Sequence, residues 1–145
     1  MTVGNGRIAD RAILPRHRRI GDWAPRRFHE SSMKILVPVD GSVYTKRMLG
    51  YLAAHDEWLG GAHEYTVLHV VPAVPARAAA VIERDILKKY YEDEAEKVFK
   101  PIRAFFAKKK GMNVSYIGKT GAAADAVTAL AAKGGFDLII MGSHG

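Results

Sequence analysis

Apolar runs and helical stripes alternate along most of the chain. Lys34 to Asp40 reads KILVPVD, a β-branched run without polar alternation, which predicts a strand buried on both faces. Pro38 argues against a central place for it, because proline gives no N–H to a ladder, although the loss is tolerable near a strand's end. Ser42 then caps a helical pattern in which Val43, Met48, Leu49, Leu52 and Leu59 form the apolar stripe, and Gly60-Gly61 stop it. Glu64 to Pro72 is the second strand, closed by its proline.

After a linker-like AVPARAAAV comes the longest helical pattern, about Ile82 to Lys109, with Ile86, Leu87, Tyr90, Tyr91, Val98, Phe99, Ile102, Phe105 and Phe106 on one broad face. The other face predicts three pairs four apart: Asp85 with Lys89, Asp93 with Lys97, and Glu96 with Lys100. Pro101 removes the bond to the Lys97 carbonyl, so a kink or a break is expected there. Met112 to Thr120 reads as the third strand, Ala122 to Lys133 as an Ala-rich helix ended by Gly134-Gly135, and Phe136 to Gly142 as the fourth strand. Strands alternating with helices call for right-handed crossovers and an α/β fold: a doubly wound, open, Rossmann-like parallel sheet of four strands.

Charge and composition narrow the field without naming a function. The net charge is +7, but residues 1 to 32 hold seven Arg against three acids, so much of the excess lies in a tail broken by Pro15 and Pro25. That segment is expected to be a poorly ordered basic extension, with residues 33 to 145 forming the domain. The plain reading is an extension without a defined role; its alternatives are a basic arm touching nucleic acid or acidic lipid, the Arg-rich tail being the one route to nucleic acid, and an organelle-targeting segment. With no cysteine there is no disulfide framework and no thiolate metal site, which suits a reducing compartment. No run reaches the roughly 18 apolar residues of a membrane helix, and no apolar signal core opens the chain. The expectation is a cytoplasmic protein.

In sheets of this kind ligands sit beyond the carboxyl ends of the strands. The stretch GKT at Gly118 to Thr120 fails as a phosphate loop, because the position that needs the first glycine is Asn113. Asp40 is the stronger candidate: a carboxylate ending an apolar strand can accept a ribose hydroxyl or hold a cation that bridges phosphates, though a turn or cap role is open to it too. Gly142 and Gly145 frame a loop whose backbone N–H groups favour anions, and His144 lies between them. His69 reads as a satisfied interior histidine, and Asp125 and Asp137 as residues without partners. No catalytic constellation is visible in these spacings.

MKILVPVDGS, YTVLHVVP, VSYIGKTGAAADAVTALAAK and FDLIIMGSHG, taken together, resemble the universal stress protein family over residues 33 to 145. The resemblance implies an adenine nucleotide α-hydrolase-like fold of five parallel strands, of which four are present here. It implies ATP, with Mg2+ or Mn2+, as the ligand of a stress-response module that signals or protects and hydrolyses ATP slowly at most. Carried over by position, adenosine lies against Pro38, Val39, Asp40 and the backbone of Val70, phosphates lie against Met141, Gly142, Ser143, His144 and Gly145, and Asp40 takes nucleotide-bound metal. Family dimers imply a homodimer. The sequence departs from the family after Gly145: the nine-residue spacer, the closing glycine and hydroxyl residue, the fourth helix and the fifth strand are missing, so it is expected to be C-terminally truncated, with Phe136 to Met141 an uncovered apolar edge. Two alternatives stay open. One is a nucleotide-free interaction protein of the same fold. The other is an ATP-using enzyme of the related adenine-binding group, although neither HxGH nor SGGxDS occurs.

Overall fold

A computed structural model describes residues 32–143, which lie within one compact unit, Ser32–Gly145. The basic extension expected over residues 1 to 32 falls, but for Ser32, outside the described residues, as do His144 and Gly145. The elements are β1 (Lys34–Pro38), α1 (Val43–Ala54), α2 (Asp56–Leu59), β2 (Glu64–Val71), α3 (Ala76–Ala79), α4 (Arg84–Ala107), β3 (Asn113–Thr120), α5 (Ala123–Gly134) and β4 (Leu138–Ile139). They form one parallel sheet in the order β3-β2-β1-β4. The winding runs outward from β1 through β2 to β3, then crosses back to β4, so right-handed connections put α5 on the face opposite α1 and α4.

β1 is central, contrary to the inference from Pro38. It pairs with β2 from Lys34 to Pro38 but with β4 only at Ile35 and Leu36. The hydrogen-bond pattern explains why the proline is tolerated. Val39 N–H reaches the Leu68 carbonyl, while the Lys34 and Leu36 carbonyls accept from Asp137 and Ile140, so alternate residues of β1 face opposite neighbours. The missing N–H of Pro38 therefore faces β4, where it would have met the Ile140 carbonyl. The β1–β4 ladder stops there, and β4 is two residues long rather than the seven read from FDLIIMG.

The apolar runs fill the interior as their lack of alternation predicts. Ile35, Leu36, Val37, Val67, Leu68 and Tyr65 are buried, and Met48, Leu49, Leu52 and Leu59 close one face over them. Val43, included in that stripe from sequence, points out instead. Phe99, Ile102 and Phe106 seat α4 on the sheet. Pro101 neither breaks nor splits α4, which is one helix of 24 residues with the proline on its exposed side. Its surface charges pair differently from the expected order: Lys88 with Glu92, Lys89 with Asp93, Lys97 with Glu94 and Arg103 with Glu96.

Two junctions tie the start of the sheet together. Asp137 is not partnerless: its Oδ2 accepts from Lys34 N–H at 2.9 Å, its own N–H donates to the Lys34 carbonyl at 2.8 Å, and Lys34 Nζ donates to the Gly134 carbonyl at 2.6 Å. Buried His63 takes the Met33 N–H on Nδ1, and its Nε2 donates to the Trp58 carbonyl, both at 2.9 Å. Tyr65 donates its hydroxyl to the Leu59 carbonyl, with Gly60 O 3.0 Å away, at the turn between α2 and β2. Burial, reinforced by the charge of Asp56, pushes that phenol up to about 12.

Candidate functional site

The carboxyl ends of β1 and β4 are where the winding reverses, the place at which open α/β sheets leave a crevice. Beyond the last bond between them, Ile140 N–H to the Leu36 carbonyl, the two strands border a cleft of about 400 Å3. Pro38, Val39 and Asp40 form one side, Met141 and Gly142 the other, and the first turns of α5 close it with Ala123, Ala124, Val127 and Thr128. The alanines leave room that longer side chains would fill. Gly142 is needed for packing as well, since a Cβ there would lie 2.4 Å from the Tyr44 carbonyl oxygen.

A closed set of hydrogen bonds holds Asp40. Its Oδ1 accepts from Ser42 N–H and from the Thr45 hydroxyl, each at 2.9 Å, and that hydroxyl accepts from the N–H groups of Asp40 and Gly41 at 3.2 Å. Gly41 turns the chain at φ 79, a left-handed conformation that suits glycine. Ser42 caps α1 as expected, its Oγ accepting from Tyr44 N–H. Hydrogen bonding by the Ser42 side chain, then by its amide and by Thr45, outweighs partial burial and lowers the carboxyl below its ordinary range. Asp40 is therefore a turn residue and an anion at the lining of the cleft. Of the alternatives the sequence left open for Asp40, the turn role is the one these hydrogen bonds show.

The sequence candidates do not all converge. Pro38, Val39, Asp40, Met141 and Gly142 line the cleft. Ser143 lies instead beside a second groove, of about 440 Å3, between β4 and the Tyr44, Arg47, Met48 and Tyr51 face of α1. Ile139 and Met141 are exposed beside that groove. Val70 stands on β2, one strand away. Continuation of the β1–β2 ladder would carry its N–H to the Val39 carbonyl, but the His69 ring takes that carbonyl, donating from Nδ1 at 2.9 Å. The N–H and C=O of Val70 are thus turned toward the space past the end of β1, unspent among the described residues. His69 is the satisfied interior histidine expected, edge-on to Phe99.

Thr45 and the α5 residues were missed from sequence. A hydroxyl five residues after the aspartate, one helical turn beyond the cap, was the available signal for Thr45. The run GAAADAVT read only as a helix former, and its small side chains are what let α5 approach the cleft.

Fold and crevice together define a doubly wound α/β protein with a ligand-sized cleft at its switch point. A family model described as the universal stress protein family matches residues 32–145, and the chain belongs to that family. Among solved structures it is similar to the hypothetical protein MJ0577, with 25% identity, TM-score 0.59, and coverage of 78% of this chain and 76% of that one. It is also similar to a universal stress protein in complex with cAMP (14% identity, TM-score 0.54, 77% and 76% covered). A family member from Arabidopsis thaliana with AMP bound shares 15% identity at TM-score 0.50, with 78% and 77% covered. No curated protein matches.

Proposed function

We propose that the cleft binds an adenine nucleotide, ATP with Mg2+ or Mn2+ by the family resemblance, and that the protein acts through its nucleotide-bound state as a stress-response signalling or protective module. The observation that carries this reading is Asp40, held by Ser42 and Thr45 at the lining of the cleft beside Pro38. A carboxylate there can accept a ribose hydroxyl. The outward N–H and C=O of Val70 offer a donor and an acceptor to the edge of a base, and the Gly142 backbone permits close approach of phosphate. Two structural relatives hold AMP and cAMP. Among the described residues no three His, Asp or Glu side chains converge. A divalent cation would therefore take Asp40 as its protein ligand and draw its other oxygens from the nucleotide and water.

Calorimetric titration of the protein with ATP, AMP and cAMP, with and without Mg2+, tests the reading. Saturable binding that weakens on Asp40→Ala is expected. Absence of saturable binding by all three nucleotides would sink it. The family's homodimeric assembly and a cytoplasmic setting complete the proposal, and sedimentation velocity checks the former. Among the described residues no helix is long and apolar enough to cross a membrane.

A further inference from the structure

The far edge of the sheet carries a groove that the nucleotide reading does not use. All eight residues of β3 are in register with β2 on one side, and among the described residues no strand flanks the other. Gly121 N–H donates to the Val71 carbonyl, so the alternation of a parallel ladder turns the odd-numbered residues of β3 toward β2. Val114, Tyr116, Gly118 and Thr120 consequently present main-chain N–H and C=O groups outward. The side chains of Val114, Tyr116 and Thr120, and the bare Cα of Gly118, lie on the face that α4 covers.

Between α4 and this edge runs a groove of about 460 Å3. Its floor is made of the smallest residues: a Cβ on Gly118 would sit 3.4 Å from the Cβ of Ala95. Its walls are aromatic, with Phe99 edge-on to Tyr116 at 5.4 Å and the Arg103 guanidinium 4.8 Å from the Tyr116 ring centre. Along the rim Lys88 pairs with Glu92 and Arg103 with Glu96. From Lys88 to Arg103 the rim spans about 22 Å of helix, the length of about six or seven extended residues.

An edge that repeats a donor and an acceptor at every second residue is matched in kind by another extended backbone. We propose that the β3 edge and the α4 groove bind an extended peptide segment of a different polypeptide, which adds as a strand beside β3 and seats one apolar side chain against Gly118 and Ala95, beside the Phe99–Tyr116 pair. Charge separates this occupant from a second copy of the chain. The rim reads positive, negative, negative, positive in either direction, so two copies paired antiparallel about a two-fold axis set like charges against like. A segment with Lys or Arg two residues to either side of its apolar residue, and so on the same face of the added strand, places those cations toward Glu92 and Glu96.

The probe is a panel of fluorescein-labelled heptapeptides with Val, Leu or Phe at the centre, Lys two residues to either side and Thr elsewhere, each with a backbone N-methylated twin. Saturable anisotropy changes are expected with the full chain. N-methylation, and separately Gly118→Val, which fills the floor, should each weaken binding by at least about tenfold, as expected for losing strand bonds or the seat of a buried side chain. Amide exchange by NMR should show new protection at Tyr116, Gly118 and Thr120, with Ile117 and Lys119 unchanged because they already bond to β2. Failure of the whole panel to bind overturns the proposal, as does binding indifferent to N-methylation. Protection of the same amides without peptide, accompanied by dimer in sedimentation, overturns it in favour of a second copy. Circular dichroism verifies that Gly118→Val is folded, and the N-methylated twins decide the matter if it is not.

Discussion

Replacing Thr45 by Val separates the two roles that meet in Asp40. The side chains are nearly isosteric and Thr45 is buried, so the change removes hydrogen bonds without opening a cavity. Three bonds go: two N–H groups, of Asp40 and Gly41, lose their acceptor, and the Asp40 carboxylate loses a donor. At about 1 kcal/mol each, reduced where solvent can replace the partner, the loss is about 2 kcal/mol. For a unit of this size it corresponds to a fall in Tm of about 8 °C. The carboxylate, left with Ser42 as its anchor, regains rotamer freedom that a ligand must again suppress, which weakens nucleotide binding about two- to tenfold. Thermal unfolding and calorimetric titration on one protein batch measure both effects, and Thr45→Ser, which keeps the hydroxyl, should restore most of each. A variant that melts early but binds nucleotide with unchanged Kd would refute the reasoning, because the turn would then serve helix α1 alone.

Other outcomes follow from the same geometry. Tyr65→Phe leaves the Leu59 and Gly60 carbonyls without their phenolic donor and should cost about 1–2 kcal/mol in urea unfolding. In the wild type the folded-state phenol titrates near 12 against an ordinary value of 10.0. The protonated form is thus favoured by folding, and that contribution is complete below pH 10 and lost as pH rises toward 12. The Phe variant should lack this alkaline component in a pH series of unfolding curves. Gly142→Ala sets a methyl against the Tyr44 carbonyl and should cost about 1–3 kcal/mol while also weakening nucleotide binding, so a fully stable variant with intact affinity would contradict the close packing described here.

What could be read in advance was whatever the chain encodes locally. KILVP and EYTVLHVV are apolar without alternation because both faces are covered, and Ser42 and Gly135 mark helix ends by chemistry confined to a few residues. The parts that escaped depend on distant partners. Asp137 looked solitary because its partner Lys34 is 103 positions away. The α4 ion pairs depend on which rotamers long exposed side chains adopt, and spacing alone does not rank Glu94 against Asp93 as the partner of Lys97. Of the candidate site, the β1 end and Met141-Gly142 were legible as strand ends. Thr45 was not, since its role appears only when the Gly41 turn folds its hydroxyl back under Asp40.

Pro38 has a consequence for how such a cleft is maintained. Where the β1–β4 seam ends, Pro38 brings no N–H that could draw the two strands together across the mouth of the cleft. Interstrand cohesion and ligand room are therefore opposite settings of a single variable. Restoring an amide, as in Pro38→Ala, should zip the seam by one more bond to the Ile140 carbonyl, seen as slowed exchange of the new amide. The gain in rigidity would be drawn from the volume in which a guest molecule sits.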